Sequence, residues 1–169
     1  YDIQTTSDGG YIVVGETKSF GAGKSDVYLL KLTSTGVVSW TKTYGTSGND
    51  VGYSVKQVMG GGFAITGYTE LQDSIPYGKN VYIINTDASG NLNWSGAYGG
   101  PENDEGRSIV QLEDSSFAVC GITNSYGAGL EDAYLIRTND VGTLLWGKTY
   151  GGDSTDRCYC LLNTLDNGF

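Results

Sequence analysis

Two rows of polar residues carry most of the chemistry available to this sequence, and both recur at fixed spacing. Asp26, Asn80 and Asp132 form one row; Asp50, Asp104 and Asp156 form the other, each six residues after a tyrosine that is followed by glycine (Tyr44, Tyr98, Tyr150). Side chains of this kind do one of two things. They accept backbone N–H groups and fix turns, or they join loop carbonyls in holding a hard cation such as Ca²⁺. The cation expectation falls on Asp50, Asp104, Asp156 and Glu102, the last in the run Glu102-Asn103-Asp104-Glu105. No EF-hand loop or repeats-in-toxin glycine-aspartate loop accompanies them. Paired carboxylates could also act as acid and base on a glycoside, but nothing singles out one pair from the repeating set.

A second set of candidates lies in glycine-rich loops. Ser19-Phe20-Gly21-Ala22-Gly23 matches Ser125-Tyr126-Gly127-Ala128-Gly129, while Ser74-Ile75-Pro76-Tyr77-Gly78 occupies the same place in a loop two residues longer. Phe20, Tyr77 and Tyr126, next to Asp26, Asn80 and Asp132, could stack on a sugar face while the polar groups bond its hydroxyls. The plainer expectation is that the rings fold back over the protein, with the glycines supplying the turn.

Catalysis has little else to draw on. The chain has no histidine, which removes the usual general base and the commonest nitrogen ligand. It has no Gly-x-Ser-x-Gly elbow, phosphate-binding loop or Cys-x-x-Cys pair. Cys120, Cys158 and Cys160 are odd in number and recur in no other copy, so unpaired and mostly buried thiols are expected. A net charge of −9, with ten scattered Lys and Arg, argues against nucleic acid or anionic lipid as a partner. No apolar run approaches the ~20 residues of a membrane helix, so no membrane insertion is expected in this segment.

An internal repeat positions these residues. The aromatic residues Tyr11, Phe63, Phe117 and Phe169, each behind a turn, are spaced 52, 54 and 52; Trp40, Trp94 and Trp146 are spaced 54 and 52, and Tyr44, Tyr98 and Tyr150 step identically. Twenty-seven Gly, thirteen Tyr and only two Pro belong to a turn-rich all-β chain. Alternation and turn residues predict strands over 2–5, 11–17, 26–32 and 37–44, then 54–57, 63–69, 81–85 and 92–98, then 108–111, 117–123, 133–137 and 144–150. The repeats divide the chain at 1–52, 53–106 and 107–158, with 159–169 holding the first strand of a further copy at 159–162.

Four antiparallel strands per unit at this period match one β-propeller blade. The segments TSTGVVSWTKTYG, TDASGNLNWSGAYGG and TNDVGTLLWGKTYGG resemble the turn-then-Trp signature of quinoprotein-type propellers. The wider pattern of DGGYIVVGET followed by SDVYLLKL resembles propeller repeats of secreted and surface-attached bacterial and archaeal proteins. The resemblance covers the whole chain and implies a fragment of a larger propeller, its remaining blades coming from the same longer chain or from another copy. It implies that Trp40, Trp94 and Trp146, with Tyr44, Tyr98 and Tyr150, tie each blade together. It also implies that both carboxylate rows gather on one face, since the loop after the second strand and the link between blades share it. No quinone-binding or catalytic residue is carried over. The expected function is a non-catalytic interaction or scaffold module, extracellular or at the cell surface, binding protein or glycan without a cofactor other than Ca²⁺. The alternative is part of a carbohydrate-active or metal-dependent enzyme with catalytic residues outside the chain. The sequon Asn93-Trp94-Ser95 falls in the outermost strand.

Overall fold

The computed structural model describes residues 1–71, 78–164 and 168–169, with twelve strands and no helix among them. They are β1 (Asp2–Thr5), β2 (Tyr11–Thr17), β3 (Asp26–Leu32), β4 (Val38–Tyr44), β5 (Asp50–Gln57), β6 (Phe63–Glu70), β7 (Lys79–Thr86), β8 (Leu92–Tyr98), β9 (Asp104–Gln111), β10 (Phe117–Thr123), β11 (Asp132–Thr138) and β12 (Leu144–Tyr150). Every four in succession form one antiparallel meander, so the chain is three four-stranded sheets in sequence, not closed into a barrel.

The turns explain the meander. Gly36, Gly90 and Gly142 hold φ of +81°, +74° and +84° in the β3–β4, β7–β8 and β11–β12 hairpins, a region that side-chain-bearing residues avoid. Asp87 closes its hairpin by accepting the Ser89 and Asn91 N–H groups at 2.8 Å each, and Asn139 accepts that of Thr143 at 2.7 Å. Short polar side chains thus hold the sharp ends.

Alternation then divides the middle strands between two cores. On β6, Phe63 and Ile65 pack with Ile12, Val14, Leu29 and Ile84 between the first two sheets. Ala64, on the opposite face, packs with Ile83, Ile109, Phe117 and Val119 between the second and third. Burying each such Ile or Phe contributes about 1.5–3 kcal/mol. A third cluster, Val110, Leu112 and Ala118, lies on the far face of the third sheet and is covered by Leu161 and Phe169. The outermost strands β4, β8 and β12 instead run largely exposed.

Two expectations are corrected. β5 and β9 begin at Asp50 and Asp104, four residues before the predicted starts, because a bulge breaks the alternation that marks a strand. The pairing jumps from Gly52↔Gly67 to Ser54↔Thr66 and from Gly106↔Gly121 to Ser108↔Cys120, leaving Tyr53 and Arg107 as the extra residues. Residues 159–162 form no strand. They lie along β9, with the Leu161 N–H donating to Ser108 Oγ at 3.2 Å, and have no ladder partner of their own.

Candidate functional site

The repeat's signature residues form joints from one sheet to the next. Trp40 on β4 meets Phe63 on β6 with ring centroids 5.9 Å apart, Trp94 meets Phe117 at 5.7 Å, and Trp146 meets Phe169 at 6.0 Å. The Tyr44 hydroxyl donates to the Gly90 carbonyl at 2.7 Å, and that of Tyr98 to the Gly142 carbonyl at 2.5 Å. Each acceptor is the left-handed hairpin glycine of the following sheet. A methyl on Gly90 would sit 2.8 Å from the Trp40 ring, and one on Gly142 would sit 2.7 Å from the Trp94 ring. Tyr150, at the same position in the third sheet, is 55% exposed. Besides packing with their own sheets, as Tyr44 does with Val27 and Leu29, these residues join the first sheet to the second and the second to the third.

The two polar rows meet in pairs, one pair per joint, with the Tyr-Gly glycine between them. A methyl on Gly45 would lie 2.4 Å from Asp26 Oδ1 and 2.8 Å from Asp50 Oδ2. On Gly99 it would lie 2.3 Å from Asp104 Oδ2 and 2.8 Å from Asn80 Oδ1, and on Gly151 2.0 Å from Asp132 Oδ1 and 2.9 Å from Asp156 Oδ2. Each glycine therefore lets its two polar partners approach either side of the space that a Cβ would take.

Backbone N–H groups also occupy the carboxylates. Asp50, Asp104 and Asp156 each accept the N–H four residues earlier, from Thr46 at 2.7 Å, Gly100 at 2.8 Å and Gly152 at 2.9 Å. Asp26 accepts those of Ala22 at 3.1 Å and Gly23 at 3.2 Å. These are turn-fixing contacts. Glu102 is exposed in the linker, where its N–H bonds Ser125 Oγ at 3.0 Å. Among the described residues, no group of three or more His, Cys, Asp or Glu is arranged to hold a metal.

Asp50 is fully buried, and burial pushes its carboxyl above the ordinary 3.8; the Thr46 and Thr69 groups oppose this in part, and Asp26 adds to it. Thr69 stands opposite Asp50 in the β5–β6 pairing, though Asp50 Oδ1 and Thr69 Oγ1 close no well-aligned bond. A raised folded pKa means the native state takes up this proton before the unfolded chain does. The Asp50 contribution to stability therefore rises as pH falls from neutrality through the folded pKa, and levels off below the unfolded value. Asp50→Asn fixes the neutral form. Its stability relative to wild type should be most favourable at pH 7 and decline on acidification toward pH 4 in paired denaturant titrations; a pH-independent difference would refute the assignment.

The loop aromatics fold back but keep an open face. Phe20 stacks on Tyr28 with centroids 6.4 Å apart and is still 65% exposed. Tyr126 leans on Tyr134 at 5.7 Å, donates its hydroxyl to the Gly99 carbonyl at 2.8 Å and is 45% exposed. Tyr77 and most of its loop lie outside the described residues. No protein-family model matches the chain, and no curated protein matches it.

The most chemically varied surface carries no repeated motif. Tyr1, Tyr53, Arg107 and Tyr159 each stand ten residues before a repeat aromatic, at Tyr11, Phe63, Phe117 and Phe169. The bulges re-aim two of them. Tyr1 meets Tyr53 edge-on at 5.3 Å, and the Arg107 guanidinium lies 4.3 Å from the Tyr53 ring centroid. Tyr68 stands 5.9 Å from Tyr53 and carries Lys79 over its face at 4.2 Å. Glu105 pairs with Lys79 at 2.6 Å and also with Arg107, while Arg157 pairs with Glu131 at 2.5 Å. Beside this row opens a cleft of about 280 Å³ lined by Lys79, Asn103, Glu105, Arg107, Asn124, Glu131, Arg157 and Tyr159, among others. Three of the chain's ten cationic side chains meet there, and Arg107 Nε is buried without an acceptor. The legible signal was the ten-residue offset, hidden because the row changes from Tyr to Arg and back.

Proposed function

We propose that the three sheets are successive blades of a β-propeller, and that the chain is a non-catalytic interaction module, extracellular or at the cell surface, that binds glycan. The head-to-tail Trp and Tyr joints support the blade reading, since each sheet docks the next by the same contacts. A blade row of this kind brings its first strands toward a common axis. The cleft beside Arg107 then opens where ligands reach such a module.

The cleft is the observation that carries the binding reading. Its volume sits near the lower end of the ~300–1,000 Å³ common for ligand pockets, a fit for one or two sugar rings. Asn103 and Asn124 offer amide donors and acceptors to hydroxyls, Tyr159 offers a ring face, and the partly exposed Arg107 guanidinium offers positive charge to a carboxylate. The enzyme alternative gains less. The one carboxyl that burial raises among the described residues, Asp50, is sealed behind its turn.

A glycan array with and without Ca²⁺, run on wild type and on Arg107→Gln, Phe20→Ala and Tyr126→Ala, tests the proposal. Binding of glycans that end in an acidic sugar is expected, unchanged by Ca²⁺ and weakened at least tenfold by Arg107→Gln. Wild type bound to no glycan refutes it. Binding that survives Arg107→Gln but is lost in both loop variants moves the site to the loop face.

A further inference from the structure

The third joint differs from the first two in one detail. At the first, Val14 on β2 faces Gly52, whose added methyl would lie 2.5 Å from Val14 Cγ2. At the second, Thr66 on β6 faces Gly106, whose added methyl would lie 2.2 Å from Thr66 Oγ1. Each branched residue stands three positions after its repeat aromatic, and each glycine stands two positions after its row aspartate, Asp50 or Asp104. The same arithmetic at the third joint leads from Phe117 to Cys120 and from Asp156 to Cys158. A branched residue against glycine has become cysteine against cysteine.

The surroundings agree with that alignment. Cys120 has the strand parity of Ala118, which faces the third core with Leu161 and Phe169. The chain after β12 lies along that face, with Leu161 and Asn163 bonded to Ser108 Oγ and the Gln111 carbonyl of β9 at 3.2 Å and 2.9 Å. Ser108 is the β9 partner of Cys120. Burial raises the Cys120 thiol above its ordinary value, with the hydrogen bond that this thiol donates to Cys158 as the next cause. All three cysteines are free thiols here; only Cys120 is buried, Cys158 being half-buried and Cys160 exposed, which corrects the expectation of mostly buried thiols.

From the paired positions across the third joint we infer that Cys120 and Cys158 form a disulfide when the protein meets an oxidant, bonding the third sheet covalently to the segment that follows it. The oxidant class is a low-molecular-weight disulfide. The accessible Cys158 attacks it as thiolate and releases one thiol, giving a mixed disulfide. Cys120 then loses its proton, attacks the Cys158 sulfur and releases the second thiol. Two protein thiols and one small disulfide thus become one protein disulfide and two small thiols. Cys160, exposed, with its carbonyl 3.7 Å from the Cys158 sulfur, takes no part.

The test is oxidation with excess oxidised glutathione, followed by alkylation of remaining thiols and non-reducing peptide mapping. Cys160→Ser should lose two hydrogens in mass, wild type should do so apart from the glutathione or alkyl group carried on Cys160, and both should yield a single Cys120–Cys158 peptide and melt about 5–10 °C higher than the reduced form. Dithiothreitol should reverse the gain, and Cys158→Ser should show neither link nor gain. A Cys120–Cys160 peptide, a Cys120 that stays alkylatable, or a Cys158 that stops at the glutathione adduct overturns the inference. The wild-type map alone decides between these results, so it does not depend on any variant folding.

Discussion

Gly121→Ala is expected to cost about 3–4 kcal/mol of stability, and Gly67→Ala as much. A methyl on Gly121 would lie 1.9 Å from the Glu105 carbonyl oxygen, 2.9 Å from its carbon and 3.0 Å from Gly106 Cα. On Gly67 it would lie 1.8 Å from the Val51 oxygen. Every one of these atoms is backbone, so no side chain can swing aside. Relief requires β9 to move off β10, or β5 off β6, at the very place where the bulges hold Arg107 and Tyr53. Gly15 stands at the same repeat position on β2, yet a methyl there meets nothing nearer than Tyr1 Cδ2 at 3.8 Å. Gly15→Ala should therefore stay within about 0.5 kcal/mol of wild type. Urea midpoints for the three variants make the comparison, and a Gly121→Ala midpoint as mild as that of Gly15→Ala would show that the sheet yields freely.

Trp94→Ala should be nearly as damaging, at about 3 kcal/mol, the lower end of the range for Trp truncation because the ring is only partly buried. The indole rests on Phe117 and on the Gly142 backbone, and its Nε1–H donates to the Asp140 carbonyl at 2.9 Å. All three contacts belong to the third sheet, although Trp94 belongs to the second. The loss should accordingly appear in amide hydrogen exchange as faster opening of β10 and β11 ahead of β2 and β3. Trp94→Phe keeps a ring on Phe117 but forfeits the hydrogen bond, and should recover about half of the loss. Uniform acceleration across all three sheets would mean that the joint is not where this residue acts.

Much of the strand plan could be read before any coordinates. The boundaries of β2, β3, β8, β10 and β12 fall on the predicted residues, because each is an alternating or β-branched run between turn residues. The starts of β5 and β9 could not be read so directly. Gly52-Tyr53 and Gly106-Arg107 insert a residue that shifts the alternation, and a period-2 pattern cannot survive an odd insertion. The importance of the Trp and Tyr-Gly rows was legible from their spacing, but their partners were not. A repeat shows that a residue recurs, not whether it touches its own copy or the following one.

The candidate site was less legible still. Arg107 and Tyr53 differ in chemistry, so their common position had no motif to announce it. The cysteines do not recur, as a residue type, from copy to copy. Their relation emerges only when Cys120 is matched to Val14 and Thr66, and Cys158 to Gly52 and Gly106. The acidic rows read as either cation ligands or turn clamps, and what the spacing could not show is the backbone N–H that each of Asp50, Asp104 and Asp156 accepts from four residues earlier.

Because neighbouring residues on β6 face different cores, the middle sheet acts as a partition wall. Ile65 belongs to one room and Ala64 to the other. A change of volume in one room need not be answered in the other, which leaves each joint free to drift toward its own solution. Valine over glycine, threonine over glycine and cysteine beside cysteine are three such solutions to a single problem of fit. The docking residues repeat from joint to joint, while the residues behind the wall differ.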